Sequence, residues 1–279
     1  MQKTDAGLMA ASQNPPEMKP TSAINRLLLA APYGVPMTSD WLTEHGITPQ
    51  MLWGYKKSGW LVPLGRGAWI RAGQPVDWKA AVYALQRQSP NSVWPAGQTA
   101  LALLGQAHYI PQGNDPVIQL STVRGYRLPT WFERLPFGSN IVKCNATSLF
   151  DVVDIGLGSW RGSAFDLDIS SPERAAIELC DMTPANADPE EVMELVQGLP
   201  ALRPALLQKL LTACRSIKAK RLLLVLAEIL EHSWLNQLDI TQLDLGSGKR
   251  SLKVPGRFHP RYKITVPAAW EEHEGHARF

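Results

Sequence analysis

The most constraining stretch of this sequence is residues 21–75, where short runs of helix-forming residues are each cut off by proline or glycine before two β-prone runs meet at Gly65-Arg66-Gly67. SAINRLLLAA at 22–31 puts Ile24, Leu27 and Leu28 at the i, i+3, i+4 spacing of one buried face, and Pro32 and Gly34 end the run. TSDWLTEH at 38–45 opens on a Thr or Ser that can cap a helix and closes at Gly46 in the C′ position. Thr48 caps a third helix with Pro49 at its first position, where a missing N–H costs nothing, and MLWGYKKS carries it to Gly59. Three short helices within about 40 residues, followed by β-prone runs at 60–64 and 68–70, predict the order of a winged helix-turn-helix. In such a unit the last helix enters the DNA major groove and the wing meets backbone or minor groove.

A wheel at ~100° per residue divides the third helix into two faces. Met51, Leu52 and Tyr55 fall on one side; Gln50, Trp53 and Lys57 fall on the other, with Lys56 flanking. These residue types suit DNA. Lys56, Lys57, Arg66 and Arg71 can neutralise phosphates, each releasing a counterion. Gln50 carries the donor and acceptor pair that recognises adenine, and the Trp53 ring can contact a thymine methyl or a sugar. Thr48, as cap, sits at the entry of the same helix. The alternatives are a solvated lysine-bearing helix and a Trp53 packed on the wing. Gly54 inside the helix weakens it by about 1 kcal/mol relative to alanine.

The net charge of +3 conceals three blocks. Residues 21–75 carry five bases against two acids; residues 166–194 carry nine acids against the single base Arg174; residues 203–263 carry twelve bases against four acids. The last block contains a cluster, Arg215, Lys218, Lys220 and Arg221, and an acid-free run through Lys249, Arg250, Lys253, Arg257, Arg261 and Lys263. It is expected to form a second basic surface facing DNA or a partner protein, unless the acidic block folds against it. If a helix starts near Ser216, the bases at its N-terminal end oppose the macrodipole and call for acidic compensation.

Beyond the winged unit, DWKAAVYALQRQ at 77–88 reads as a helix with Trp78, Ala81, Val82 and Leu85 inward. Runs at 117–122, 127–135 and 140–143 read as strands, and Phe165, Leu167 and Ile169 as the buried face of another. Ser170 or Ser171 caps PERAAIELCDM, Asp188 caps PEEVMELVQ, and helices follow at 203–213 and 217–232, with strands returning at 243–254 and 262–266. The expectation is an α+β chain: a disordered tail at 1–20, a winged helix-turn-helix DNA-binding domain at 21–95, a mixed α/β domain at 96–266 and a C-terminal tail at 267–279. The longest apolar run, 222–227, is stopped by Glu228, far short of the ~20 residues of a membrane span. The polar start of the chain does not read as a secretory signal. Three cysteines without a CxxC pair argue against disulfides and structural zinc, and the expected compartment is cytoplasmic.

The stretch INRLLLAAPYGVPMTSDWLTEHGITPQMLWGYKKSGWLVPLGRGAWIRAG through WKAAVYALQRQ resembles the N-terminal winged-helix domain of the AbiEi family, antitoxins of type IV toxin-antitoxin systems. The Gly59-Trp60-Leu61 step and the Gly-Arg-Gly-Ala-Trp wing carry the likeness. FDLDISSPERAAIELCDM is similar to the Ser-x-x-Glu-Arg-Ala segment that opens the family's C-terminal antitoxin region, and the likeness spans roughly residues 21–266. The resemblance implies a non-enzymatic repressor of its own operon, bound to double-stranded operator DNA, with inverted repeats expected in the site. It also implies protection, through the second domain, from a nucleotidyltransferase-like toxin in phage defence by abortive infection, with no stable complex required. Neither cofactor nor metal is implied.

Catalytic patterns in the sequence are incomplete. Gly246-Ser-Gly248-Lys249-Arg250 lacks the first glycine of a phosphate loop, Leu243 standing in its place, and has Arg250 where Ser or Thr is needed. Gly156, Gly158 and Gly162 miss the dinucleotide spacing by one residue. The sharper rival is Gly158-Ser159 followed by Asp166 and Asp168, similar to the Gly-Ser turn and paired Mg²⁺-holding aspartates of nucleotidyltransferases. The gap is short, and two aspartates on the exposed face of a strand explain the pattern without chemistry. His273 and His276 stand i, i+3 in the polar C-terminal tail but belong to no wider ligand set. A transcription factor answering a small ligand in the second domain is the third class.

Overall fold

The computed structural model describes residues 22–88, 93–106 and 117–270. The expected N-terminal tail at 1–20, and His108, His273 and His276, lie outside them. The elements run α1 (Ala23–Ala30), β1 (Met37–Thr38), α2 (Ser39–Glu44), α3 (Pro49–Lys57), β2 (Leu61–Gly65), β3 (Ala68–Arg71), α4 (Trp78–Gln88), β4 (Val93–Pro95), α5 (Gly97–Leu103), β5 (Ile118–Thr122), α6 (Thr130–Glu133), β6 (Ile141–Asn145) and α7 (Ala146–Leu149). They continue as β7 (Leu157–Arg161), β8 (Asp166–Ser170), α8 (Pro172–Met182), α9 (Pro189–Gln197), α10 (Pro204–Ala213), α11 (Ile217–Ile229), β9 (Arg250–Ser251), β10 (Gly256–His259) and β11 (Ile264–Pro267). The protein is α+β.

The helix, helix, helix and hairpin order is present at the N-terminus, with the expected caps. The hydroxyls of Thr38 and Thr48, the two caps expected there, accept from the backbone N–H three residues on, and Ser22, for which no cap was expected, does the same for α1, at 3.3 Å each. β3 lies between β2 and β1, both antiparallel to it; β1 is too short to show as a period-two pattern in the sequence. Leu27, Met37, Leu42, Ile47 and Leu61 close a core of their own under these helices. Apolar side chains of α4, β4, β5, α6 and β8 form a second core that also takes Val35 and Ala68 from the first unit.

The third and largest core surrounds α8, which packs against α5, α10 and α11. At its centre is an ion pair with no solvent exposure, Arg174 Nε to Glu178 Oε1 at 2.8 Å. Arg174 Nη1 also donates to the carbonyls of Val153 and Ile155, both at 2.7 Å, and its guanidinium stacks against Trp94 and Phe150. Glu178 accepts from the Ser170 hydroxyl at 3.0 Å and from the Gly97 backbone N–H at 3.1 Å. The latter bond caps α5 from 81 residues away, because Ala96 has no side chain to offer its N-terminus. Gly97 has φ +48°, and a Cβ there would lie 2.2 Å from Gln119 Oε1, which caps Gln98 N at 2.7 Å.

Several sequence expectations change. Residues 127–135 hold α6 instead of a strand: Pro129 starts one helical turn that buries Trp131 and Phe132. β4, β7 and β10 were not expected. The ordered chain runs past 266, since Pro267 ends β11 and Trp270 is fully buried. Leu167 and Ile169 are buried on β8, as expected, with Phe165 packed beside them.

Two carboxylates of the acidic block are structural. Glu178→Gln keeps the shape of the central network and removes its charge, leaving Arg174 buried without its counter-ion; urea unfolding should show a loss of about 3 to 5 kcal/mol. Glu173 is buried against Arg203. Burial alone would raise its carboxyl, but the side chain and backbone N–H of Arg203, with the Ser171 hydroxyl, outweigh that and hold it below its ordinary value. A depressed carboxyl stabilises the fold above its unfolded pKa of about 4.3 and loses that contribution as pH falls. Acid unfolding of Glu173→Gln should therefore show a shallower dependence below about pH 4 than the parent chain.

Candidate nucleic-acid interface

α3 has no buried residue and stands on its own unit by one side only. Met51, Leu52 and Tyr55 pack onto the core beneath it. Gln50, Trp53, Lys56 and Lys57 are exposed on the other, as is the capping Thr48. Trp53 is 65% exposed, so it does not pack on the hairpin. Lys57 Nζ lies 5.4 Å from the Trp53 ring centroid, a cation–π contact that steadies both side chains on the outer face. Arg66 stands exposed at the hairpin tip between Gly65 and Gly67. Gly65 lets that turn press close to α6, since a Cβ there would lie 3.2 Å from Trp131 Cα.

Arg71 departs from the phosphate-contacting role expected of it. Its Nη2 donates to the Ala31 carbonyl at 2.8 Å and to the Leu28 carbonyl, closing the C-terminal end of α1. Those carbonyls have no partner within the helix, and a cation is favourable at that end of the dipole. The side chain is thus committed to holding α1 against β3.

The second basic cluster splits in two. Arg221 is 1% exposed and donates to four carbonyls, those of Leu245, Gly246, Gly248 and Lys263, at 2.6 to 2.9 Å. It holds the 245–248 loop against the start of β11. Lys220 is 2% exposed, and Arg215 pairs with Asp151. Lys218 Nζ donates to the carbonyls of Asp181 and Thr183, at the C-terminal end of α8. The compensation expected for bases at the start of α11 therefore comes from the negative end of another helix and not from carboxylates. Lys218, Lys220 and Arg221 are correspondingly withdrawn from the second basic surface. Lys249, Arg250 and Lys253 are exposed around the β9–β11–β10 sheet, Lys249 over the ring of Phe258 at 5.1 Å.

The nucleotidyltransferase arrangement lacks its geometry. Gly158 and Ser159 are in the middle of β7, paired with Ile169 and Asp168, and form no turn that could cradle a triphosphate. Asp168 pairs with Arg87 at 3.5 Å, and its backbone is bonded to Gln86. No group of three or more His, Cys, Asp or Glu side chains suited to a metal occurs among the described residues. No described helix is long and apolar enough to cross a membrane. Cys144, Cys180 and Cys214 are buried free thiols, and burial pushes each upward, Cys214 to about 11.

Arg221→Met separates structural from surface charge. It should lower the unfolding free energy by about 2 to 4 kcal/mol, because four carbonyls lose their buried donor. Lys249→Met should change it by less than about 0.5 kcal/mol. Paired urea titrations measure both.

Comparison with known proteins agrees with this layout. A family model described as a transcriptional regulator, AbiEi antitoxin N-terminal domain, matches residues 20–112, and one described as a transcriptional regulator, AbiEi antitoxin of the type IV toxin-antitoxin system, matches residues 115–267. The RV2827C protein from Mycobacterium tuberculosis has a similar crystal structure, with a TM-score of 0.55 and 18% identity over 85% of this chain and 88% of that one. At that identity the likeness concerns the fold. No curated protein sequence matches the chain.

Proposed function

The chain belongs to the AbiEi family of transcriptional-regulator antitoxins of type IV toxin-antitoxin systems, and from that premise we propose that its first unit reads double-stranded operator DNA as a winged helix-turn-helix. The observation that carries the reading is the outer side of α3. A helix with no buried residue presents Gln50, Trp53, Lys56 and Lys57 in one exposed row, beside the exposed Arg66 of the hairpin tip. In the major groove Gln50 offers its amide to an adenine edge, Trp53 lies against a thymine methyl or sugar, and the lysines neutralise phosphates. Arg66 follows the backbone from the wing, and the Thr48 cap places backbone N–H groups at the helix entry.

On this reading the protein is cytoplasmic, represses its own operon at inverted repeats and counters a nucleotidyltransferase-like toxin through the region beyond α4 without holding it in a stable complex. Lys249, Arg250 and Lys253 are exposed basic residues of that region that can meet DNA or a partner. Of the cluster around residue 221, the buried cations belong to the fold.

The test is salt-dependent binding to the upstream DNA by fluorescence anisotropy. Losing two phosphate contacts in Lys56→Glu/Lys57→Glu should make the log–log salt slope shallower by about 2 and weaken binding roughly 100-fold or more at 0.1 M salt. Unfolding free energy should hold, because both side chains are exposed. Unchanged affinity and slope would overturn the assignment of α3.

A further inference from the structure

We propose that the outer face of the β9–β11–β10 sheet binds single-stranded RNA, with one base stacked on Phe258. Ile264 and Val266 of β11 are buried in the largest core, so the pleat turns Thr265 between them to the opposite face. The register then sets a row across three strands on that face: Phe258 of β10 stands opposite Thr265, and Thr265 stands opposite Ser251 of β9. Phe258 and Ser251 are exposed. Lys249 Nζ already lies over the Phe258 ring, so a group arriving from solvent can reach the π-face. A base that takes the place of the ammonium moves it onto a neighbouring phosphate.

The charge around the row suits a polyanion. Lys249, Arg250, Lys253 and Lys263 are exposed, and no acid occurs from residue 245 to residue 270. Of the acids outside that run, Glu228 is held by Arg261 Nη1 at 2.7 Å, and Asp244 accepts from the Gly246 backbone N–H at 2.9 Å. A duplex keeps its base faces stacked inside and offers such a row only phosphates. A single strand offers base and phosphate together, and an aromatic ring stacks with any base. The hydroxyls then select the sugar. Neighbouring strands stand about 5 Å apart, which puts Thr265 and Ser251 beside the ring, where the ribose of the stacked base lies. The Ser251 hydroxyl accepts from the Lys253 backbone N–H at 3.0 Å and keeps its own hydrogen to donate. A 2′-OH can receive it, and deoxyribose has no such group.

The test is fluorescence anisotropy on the full chain at about 0.1 M salt, with a labelled oligouridylate of about ten nucleotides and its deoxyribose counterpart. The RNA should bind with a dissociation constant on the order of 10 μM and a log–log salt slope of about −2, for roughly three phosphate contacts. It should bind about threefold or more tighter than the DNA. Phe258→Leu, which keeps an apolar side chain and removes the ring, should weaken RNA binding about tenfold. Thr265→Val, of the same shape without the hydroxyl, should narrow the preference for RNA and leave DNA affinity unchanged. Lys249→Met should weaken binding of both strands about fivefold and make the slope shallower by about 0.7. At its exposed position it carries the test should Phe258→Leu fail to fold. Lys56→Glu/Lys57→Glu, which removes the proposed operator contacts, should leave RNA binding unchanged, so the two readings fail separately. No RNA binding up to about 200 μM, equal affinity of the parent chain for RNA and DNA, unchanged RNA affinity in folded Phe258→Leu or in Lys249→Met, or loss of RNA binding in Lys56→Glu/Lys57→Glu would each overturn the proposal.

Discussion

The buried pair of Arg174 and Glu178 is the interaction on which the larger part of this structure depends. Two charges removed from water are costly, and their mutual attraction offsets the cost only when the remaining hydrogen-bonding atoms are also occupied. Here nearly all are. Arg174 closes the loop at 153–155 through two carbonyls and lies between the rings of Trp94 and Phe150, with Nη2 alone lacking a partner. Glu178 reaches β8 through Ser170 and the start of α5 through Gly97. One i, i+4 pair on α8 therefore fixes the relative positions of β4, α5, β8 and the chain leading into β7. An apolar pair of the same volume would fill the space but would leave the Gly97 N–H and the carbonyls of Val153 and Ile155 without partners.

Outward from that centre, α4 carries the framework to the N-terminal unit. Gln86 bonds both ways with the backbone of Asp168 on β8 and donates to the Val93 carbonyl on β4 at 2.8 Å, while Gln88 accepts from Thr38 N–H on β1 at 3.0 Å. The two glutamines, two residues apart, face opposite partners: one the strands of the second core, the other the sheet behind α3. The close approach of Gly65 to Trp131 adds a second point of support at the hairpin. The proposed reading surface is thus held from behind at two points. That restraint limits the entropy its side chains and backbone must lose on meeting DNA.

What the sequence made legible was what local spacing determines. Caps at Thr38, Thr48, Ser171 and Asp188, and the division of α3 into a packed and an outer side, follow from residues within a few positions of one another. What it hid was what depends on partners far along the chain. Ala96 gives no sign that Glu178 caps the helix after it. The apolar run at 127–135 reads as strand or helix alike, and only the proline-started turn that buries Trp131 and Phe132 decides. Arg71 looks like any basic wing residue until its carbonyl partners on α1 are in place.

The basic residues draw this distinction most sharply. Arg71, Arg174, Lys218 and Arg221 all donate chiefly to backbone carbonyls or buried carboxylates, at helix ends and loops that are buried or partly buried. Their charge is spent inside the molecule, where salt screens little. Lys56, Lys57, Arg66, Lys249, Arg250 and Lys253 stand in solvent, where salt screens strongly. A block count from the sequence adds the two kinds together, and its sign is then no guide to the surface. The field that an approaching polyanion meets comes from the second kind alone. The proposed association with DNA would therefore be governed by ionic strength through groups that contribute little to folding, and folding rests on cations that would contribute little to association.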